Sequence, residues 1–316
     1  IVLVAYVLIK GLDFGVYNKN NLIKVTAVAL VGILIFAPFV EGSLVERGKS
    51  TVRTAKYFGP SFDRQWQTAM SWVRENTPKE SVFSHWWDYG YWIQTFGERA
   101  TLSDGGNARG AINHFIGRHL LTGRNRVEAL ELLKTHNTTH FLISHEEIGK
   151  YTAFSSIGAD ENYDRYSYIP TFFINPEDNL EGRDETGKET VTYLYRGTFV
   201  LDEDFVFNGQ LLPDGNSVVA GVFLAVRTNE EGGVEFKQPT AVMFYNDNRF
   251  DVPLNCVYFN EHEFAFDTPD GYNGCLRIIP VLNTDGNANF FGAGLFLSPN
   301  TRNTVFTQLF LFDKDG

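Results

Sequence analysis

The sequence predicts an α/β extracellular core that follows a transmembrane helix and carries an appended antiparallel β-rich region, a sandwich or barrel. Three observations predict it. From Leu22 to Val40 only Lys24 is charged. Between residues 63 and 144, helix-like and strand-like periods alternate. From residue 171 onward, strand-like runs recur between strong turns.

The Leu22–Val40 run just meets the length needed to cross a bilayer, about 20 mainly apolar residues. Lys24 lies near one end, where its ammonium can reach the headgroups. A buried core helix is one alternative, and the apolar region of a signal peptide is another. A second apolar run, Ile1–Ile9, comes first and no small-residue cleavage site follows, which argues against the signal peptide. Between Lys10 and Lys24 there are three lysines and only Asp13. Beyond the span, Glu41, Glu46, Arg47 and Lys49 balance one another. The positive-inside rule therefore places residues 10–21 in a cytoplasmic loop and everything after about residue 42 outside the cell. The expected organisation is the end of a transmembrane helix (1–9), the loop (10–21), a last transmembrane helix (22–41), an α/β core (42–170) and a truncated β-rich accessory region (171–316). A start inside an apolar run suggests a piece of a longer, multi-pass protein of the cell membrane.

Residues 51–62 read as a connector. Trp66, Ala69, Met70 and Val73 then recur at i, i+3, i+4 and i+7, one face of a helix. Ser61 or Asp63 can cap it, and Thr77-Pro78 ends it. Ser81–His85 reads as a buried strand, Tyr91–Phe96 as a short helix and Ala100–Ser103 as a second strand. Asp104-Gly105-Gly106-Asn107 has neither GxGxxG nor GK[ST] spacing and reads as a turn. Helices follow over Ala108–Leu121 and Arg126–His136, then a third strand over His140–Ser144. Beyond 171 the strand-like runs are Val191–Phe207, Ser217–Arg227, Glu235–Tyr245, Phe250–Tyr258, Cys275–Asn283, Phe290–Leu297 and Thr304–Phe312. The turns between them are centred on residues 213–216, 230–233, 246–248 and 285–287. This region shows no catalytic constellation. Its acids and aromatics could bind glycan, but a solvated polar face over an aromatic core explains them as well.

A net charge of −11 argues against nucleic acid as partner. Aromatics at 15% with charged residues at 21% belong to a folded chain. Cys256 and Cys275 flank the turn-rich stretch Thr268–Gly274. Outside the cell they can form a disulfide, contributing about 3 kcal/mol in the chain-entropy picture; two buried free thiols are the alternative. The histidines offer no zinc set. His136 and His140 straddle a helix–strand junction, His114 and His119 fall on different helix faces, and HExxH is absent.

Trp86-Trp87-Asp88-Tyr89-Gly90 is the most informative segment. It follows a strand, where successive side chains face opposite ways, so a regular strand cannot present both indoles together. A strand end can. Two indole N–H donors beside a carboxylate acceptor suit a hydroxyl, which both donates and accepts. Core aromatics are the plainer reading of the two tryptophans.

This WWDYG segment resembles the signature of the catalytic subunit of oligosaccharyltransferase, the membrane enzyme of asparagine-linked glycosylation, and the overall look is archaeal. The resemblance implies that Trp86, Trp87 and Asp88 bind the Ser or Thr hydroxyl of an Asn-X-Ser/Thr acceptor, with Tyr89 and Gly90 in support. A second family signature, Asp-x-x-Lys on a helix, has its counterpart in Glu147-Ile148-Gly149-Lys150. There Lys150 joins the acceptor pocket, Glu147 replaces Asp with a longer arm, and Ile157 is supporting. A solvent-facing lysine is the alternative for Lys150. The resemblance covers the last span and roughly residues 51–160; over the β-rich part it is positional only. It implies a glycosyltransferase with acceptor polypeptides and a lipid-linked oligosaccharide as partners. It also implies a divalent metal, Mn or Mg, held by an N-terminal membrane half that also carries the catalytic groups. On this reading neither the catalytic nor the metal-binding residues lie in this chain. The rival reading is a non-catalytic, membrane-anchored extracellular module that binds glycan or protein.

Overall fold

Asn18 and Asn20 turn the chain between the first two helices. Asn20 accepts from the Leu22 amide at 2.9 Å and so caps the second of them. The computed structural model describes residues 2–36, 44–57, 61–183, 189–228, 233–282 and 286–314. It divides into two compact units, Ile1–Ala69 and Met70–Gly316.

In the first unit, α1 (Val2–Tyr17) and α2 (Asn21–Phe36) pack as a hairpin. The loop expected over 10–21 is mostly helix, and only Asn18–Asn20 link the two. Leu22, Val25, Leu30 and Ile33 of α2 are exposed. The span expected over 22–41 is met by a helix of 16 residues, and residues 37–41 lie outside the described ones. At 1.5 Å per residue, the sixteen described residues reach about 24 Å. No described helix is long and apolar enough to cross a membrane. The third helix, α3 (Leu44–Tyr57), occupies the start of the expected connector.

Helix α4 (Arg64–Asn76) begins where Asp63 accepts from the Trp66 amide at 2.9 Å. Its C-terminus is closed by Arg99, which is buried. The Arg99 guanidinium donates to the carbonyls of Arg74 and Thr77 at 2.6 Å each and to those of Gly97 and Glu98. Helix-end carbonyls are good partners for a cation, because they are unpaired and carry the negative end of the dipole.

Three short strands follow: β1 (Val82–Ser84), β2 (Ala100–Thr101) and β3 (His140–Phe141). They form a parallel sheet in the order β2-β1-β3. Between β1 and β2 lies α5 (Gly90–Thr95). Between β2 and β3 lie α6 (Gly110–Phe115), a π-helical turn over Ile116–Leu121, and α7 (Arg126–Thr135). After β3 comes α8 (Glu146–Gly158). The central strand has its sequence neighbours on opposite sides, so the C-terminal ends of the three strands surround a topological switch point, where α/β sheets place ligands.

The β-rich region adds β4 (Thr171–Ile174), β5 (Leu180–Arg183), β6 (Glu189–Val200), β7 (Phe205–Phe207), β8 (Gln210–Leu212) and β9 (Val218–Thr228). After these come β10 (Val234–Phe236), β11 (Thr240–Tyr245), β12 (Asn248–Pro253) and β13 (Cys256–Phe259). The last are β14 (His262–Ala265), β15 (Cys275–Leu282) and β16 (Ala288–Leu297). One eleven-stranded sheet runs β12-β11-β9-β6-β4-β16-β15-β13-β14, with β5 on β6 and β10 on β9. Every pair in it is antiparallel except β13 with β15. The sheet is rolled. Phe236 of β10 meets Phe264 of β14, ring centroids 4.8 Å apart, although their strands stand far apart in the ladder. The buried face holds Phe172, Tyr195, Leu224, Met243, Leu276 and Phe296. The architecture is therefore neither two separate sheets nor a ring closed by hydrogen bonds.

Several expected strands divide. Residues 191–207 break at 201–204, 235–245 at Lys237–Pro239, and 250–258 at Leu254–Asn255. The expected turn at 230–233 and Asp285 of the 285–287 turn fall largely outside the described residues. The strand expected over Thr304–Phe312 is helical instead, a π-turn over Thr307–Leu311 preceded by α9 (Pro299–Arg302). Ser298 caps α9, and Thr304 accepts from the Thr307 amide at 3.3 Å. Local hydroxyl caps of this kind compete with ladder hydrogen bonds and here outweigh the β preference of the Val and Phe side chains. Cys256 and Cys275, at the starts of β13 and β15, are joined by a disulfide.

Candidate functional site

The segment after β1 bends at once. Trp86 is extended (φ −67°, ψ 141°), and Trp87–Tyr89 make a 3-10 turn that runs into α5. This bend sends the two indoles to different places. Trp86 is buried and packs edge-on against Phe154 of α8, with centroids 5.8 Å apart. Trp87 stays half-buried, and its indole makes no hydrogen bond among the described residues. The two indoles therefore do not stand side by side.

Asp88 is brought together with Lys150, its carboxylate 2.8 Å from the ammonium. Lys150 also donates to Glu146 at 3.0 Å and to the Tyr89 hydroxyl at 3.1 Å, and its ammonium lies 4.6 Å from the Tyr89 ring centroid. The Tyr89 hydroxyl in turn donates to Glu146 at 3.1 Å. Partial burial pulls the Lys150 pKa down, but hydrogen bonds to Asp88, Glu146 and Tyr89 outweigh it and hold the ammonium above the ordinary lysine range. Burial, reinforced by the Glu147 charge, pushes the Tyr89 phenol above its ordinary value, so it stays a neutral donor. The result is one cation between two carboxylates, each carboxylate partly open to solvent.

Glu147 is placed elsewhere. It is buried, and its Oε2 accepts from the Ser144 amide at 2.8 Å, while Ser144 Oγ accepts from the Glu146 amide. Ser144-His145-Glu146-Glu147 is thus a capping box that starts α8. Its other oxygen, Oε1, has no hydrogen-bond partner among the described residues, and burial raises its pKa. Ile157 exposes its side chain two turns beyond Lys150, and its carbonyl accepts from His114 at 2.7 Å.

Gly90 sits where α5 crosses the turn after β2. A Cβ there would lie 2.4 Å from the Ser103 carbonyl oxygen and 2.5 Å from Asp104 Cα and Cβ. Asp104 accepts from Gln94 at 2.9 Å and from the Gly106 amide at 2.8 Å, which lowers its pKa. Residues 104–107 are the expected turn.

Sequence reasoning missed two residues. Glu146 stands four residues before Lys150 on α8, a spacing that brings charges together on a helix. His85 is fully buried directly before the motif, and its Nδ1 lies 2.6 Å from the Trp86 carbonyl. A carbonyl only accepts, so Nδ1 carries the proton; Nε2 is buried without a partner among the described residues. Burial lowers the His85 pKa to about 4. From pH 6.5 down to about 4 the unfolded chain therefore holds more protons than the native one. Stability should fall across that window as pH drops, by about 3 kcal/mol in all. Glu203, raised to about 7 by burial and by Asp202, acts in the opposite sense above its ordinary range. Chemical denaturation of wild type and His85→Asn across pH 4–7 separates the two. The variant's amide keeps a donor for Trp86, and it should lack the acid-side loss. Parallel pH profiles would remove His85 from the account.

Comparison with known proteins places this segment. Residues 79–167 match the family described as the STT3/PglB/AglB core domain. Over 128 residues the chain is 31% identical to dolichyl-phosphooligosaccharide-protein glycotransferase 1 of Pyrococcus furiosus, covering 40% of this chain and 12% of that protein. Its Pyrococcus horikoshii counterpart is 28% identical over 144 residues, 44% of this chain and 14% of the relative. The chain thus spans a small part of the relatives it matches. The solved C. jejuni PglB C-terminal domain aligns with 79% of this chain and 92% of its own, at 12% identity and a TM-score of 0.41. Asp88 and Lys150 both lie inside residues 79–167, the segment that matches the STT3/PglB/AglB core-domain family.

Proposed function

We propose that this chain is the acceptor-recognition part of a membrane oligosaccharyltransferase, which transfers a lipid-linked oligosaccharide to the asparagine of Asn-X-Ser/Thr segments. The observation that carries the reading is the Asp88–Lys150 pair, 2.8 Å apart at the C-terminal end of β1, beside the half-exposed Trp87. Lys150 engages one carboxylate oxygen and fixes the group's orientation. The carboxylate keeps further lone pairs to accept a Ser or Thr O–H, and the same hydroxyl can accept from the Trp87 indole. Trp86 serves from behind as an anchor, and Glu147 by starting the helix that carries Lys150. The membrane placement draws on α1 and α2, an apolar hairpin with exposed Val25, Leu30 and Ile33.

An amide nitrogen is a poor nucleophile, and a divalent metal, Mn or Mg, would neutralise the departing phosphate. No group of three or more His, Cys, Asp and Glu among the described residues could hold one. On this reading Asp88, Lys150 and Trp87 bind and align the acceptor.

The test is transfer to paired peptides by the membrane enzyme that includes this chain. A site built to bond a hydroxyl rejects analogues lacking it by factors of up to about 10⁴. An Asn-X-Thr peptide should be glycosylated and an Asn-X-Ala peptide should not. Equal transfer to both sinks the assignment, and no transfer to either favours the non-catalytic binding module.

A further inference from the structure

We infer that Asn137 is itself a glycan attachment site, modified before the Thr139 hydroxyl is tied to β1. Asn137-Thr138-Thr139 is an Asn-X-Thr acceptor sequence. It forms the turn between α7 and β3. Asn137 is exposed, sits in the left-handed region (φ 51°), and its side-chain amide has no hydrogen-bond partner among the described residues. The acceptor nitrogen is thus free in the folded chain.

The hydroxyl of the same triplet is not. Thr139 Oγ1 accepts from the Val82 amide at 3.0 Å and lies 3.1 Å from the Val82 carbonyl and 2.8 Å from His140 Nδ1. The Thr139 amide donates to the same Val82 carbonyl at 2.9 Å. Residue 139 is therefore pinned against β1 by backbone and side chain together. Thr139 is itself exposed, but an enzyme that recognises an acceptor by the hydroxyl two residues on must first break these bonds to engage it. The triplet is therefore most readily used before Thr139 is bonded to Val82, during or just after export.

The donor is an oligosaccharide linked to a lipid phosphate or pyrophosphate. The Asn137 Nδ2 forms a bond to the anomeric carbon and gives up one proton to a base. The anomeric carbon–oxygen bond breaks, and its electron pair leaves with the lipid phosphate. The inference rests on the extracellular placement proposed above, and any oligosaccharyltransferase of the host can act, so it does not need this chain's own activity.

The experiment produces the chain in cells that glycosylate exported Asn-X-Thr proteins and maps the peptide containing Asn137 by mass spectrometry. A glycan should be found on Asn137 and be absent from Asn137→Gln. As an internal reporter, Gln210→Thr completes an Asn-X-Thr triplet at the exposed hairpin residue Asn208. In membranes supplied with donor, unmodified folded chain should be glycosylated at Asn137 at least about 100-fold more slowly than a peptide spanning residues 132–142, because Thr139 must first be released from Val82 and His140. A bare Asn137 alongside a modified Asn208 reporter overturns the site while leaving the extracellular placement standing. With both bare, site and placement fail together. Equal rates for folded chain and peptide overturn the timing.

Discussion

Asp88→Ala in the membrane enzyme is expected to lower kcat/KM for an Asn-X-Thr peptide by about 10³-fold or more. The incoming hydroxyl needs an acceptor for its proton. Without the carboxylate the incoming hydroxyl has no partner for its proton, and Lys150 is left facing only Glu146 and Tyr89. Asp88→Asn keeps an acceptor oxygen but loses the charge that holds Lys150, so it should fall between wild type and alanine. Asp88 and Lys150 are both partly exposed, so the thermal midpoint should barely move; exposed ion pairs contribute about 1 kcal/mol or less. A large activity loss with an unchanged midpoint identifies a binding residue. Near-normal turnover by the alanine variant would contradict the proposal outright.

Gly90→Ala should be strongly destabilising. The new methyl would meet the Ser103 carbonyl and the Asp104 backbone at 2.4–2.5 Å. Backbone cannot rotate aside as a side chain can, so α5 and the turn after β2 must separate. Overpacking of this kind costs about 3 kcal/mol, or about 6–12 °C in midpoint for a unit of this size. Gly149→Ala is the control. Nothing lies within 4 Å of a Cβ there, and in the interior of α8 alanine should stabilise by up to about 1 kcal/mol. Calorimetry on the two variants decides; similar midpoints would show that the turn yields.

Most of the α/β core was legible because its signals are local. Trp66, Met70 and Val73 announced α4, and the strand at Val82–Ser84 was short but bounded by Pro78 and the motif. The β-rich region was less legible. Strand breaks at Pro239 and Leu254–Asn255 depend on where a rolled sheet turns its corners, which no local period encodes. The helical segment at Thr304–Phe312 was masked by its β-branched and aromatic residues. At the site, the motif itself marked Asp88, and the resemblance marked Lys150. The separation of the two indoles was not readable, since it follows from the 3-10 turn and from Phe154, 67 and more residues away in sequence. The Glu147 capping box was readable from Ser144-x-x-Glu147 alone, and Glu146 from its spacing to Lys150.

The burial of Trp86 bears on what can be cut away from this protein. Trp86 rests on Phe154, and Phe154 and Tyr151 rest on Phe306, each with ring centroids about 6 Å apart or less. Phe306 belongs to the last segment of the chain, which is tied back by the Val305 amide to Gly123 and by Arg277 and Tyr258 to the carbonyls of Leu311 and Phe312. The WWDYG segment is therefore propped by residues that arrive some 200 positions later. Residues 79–167, though recognisable as a sequence unit, lack the floor on which the motif stands. Met70–Gly316 should melt as one cooperative body, and on a ribosome the motif should stay unformed until residues 305–312 have emerged.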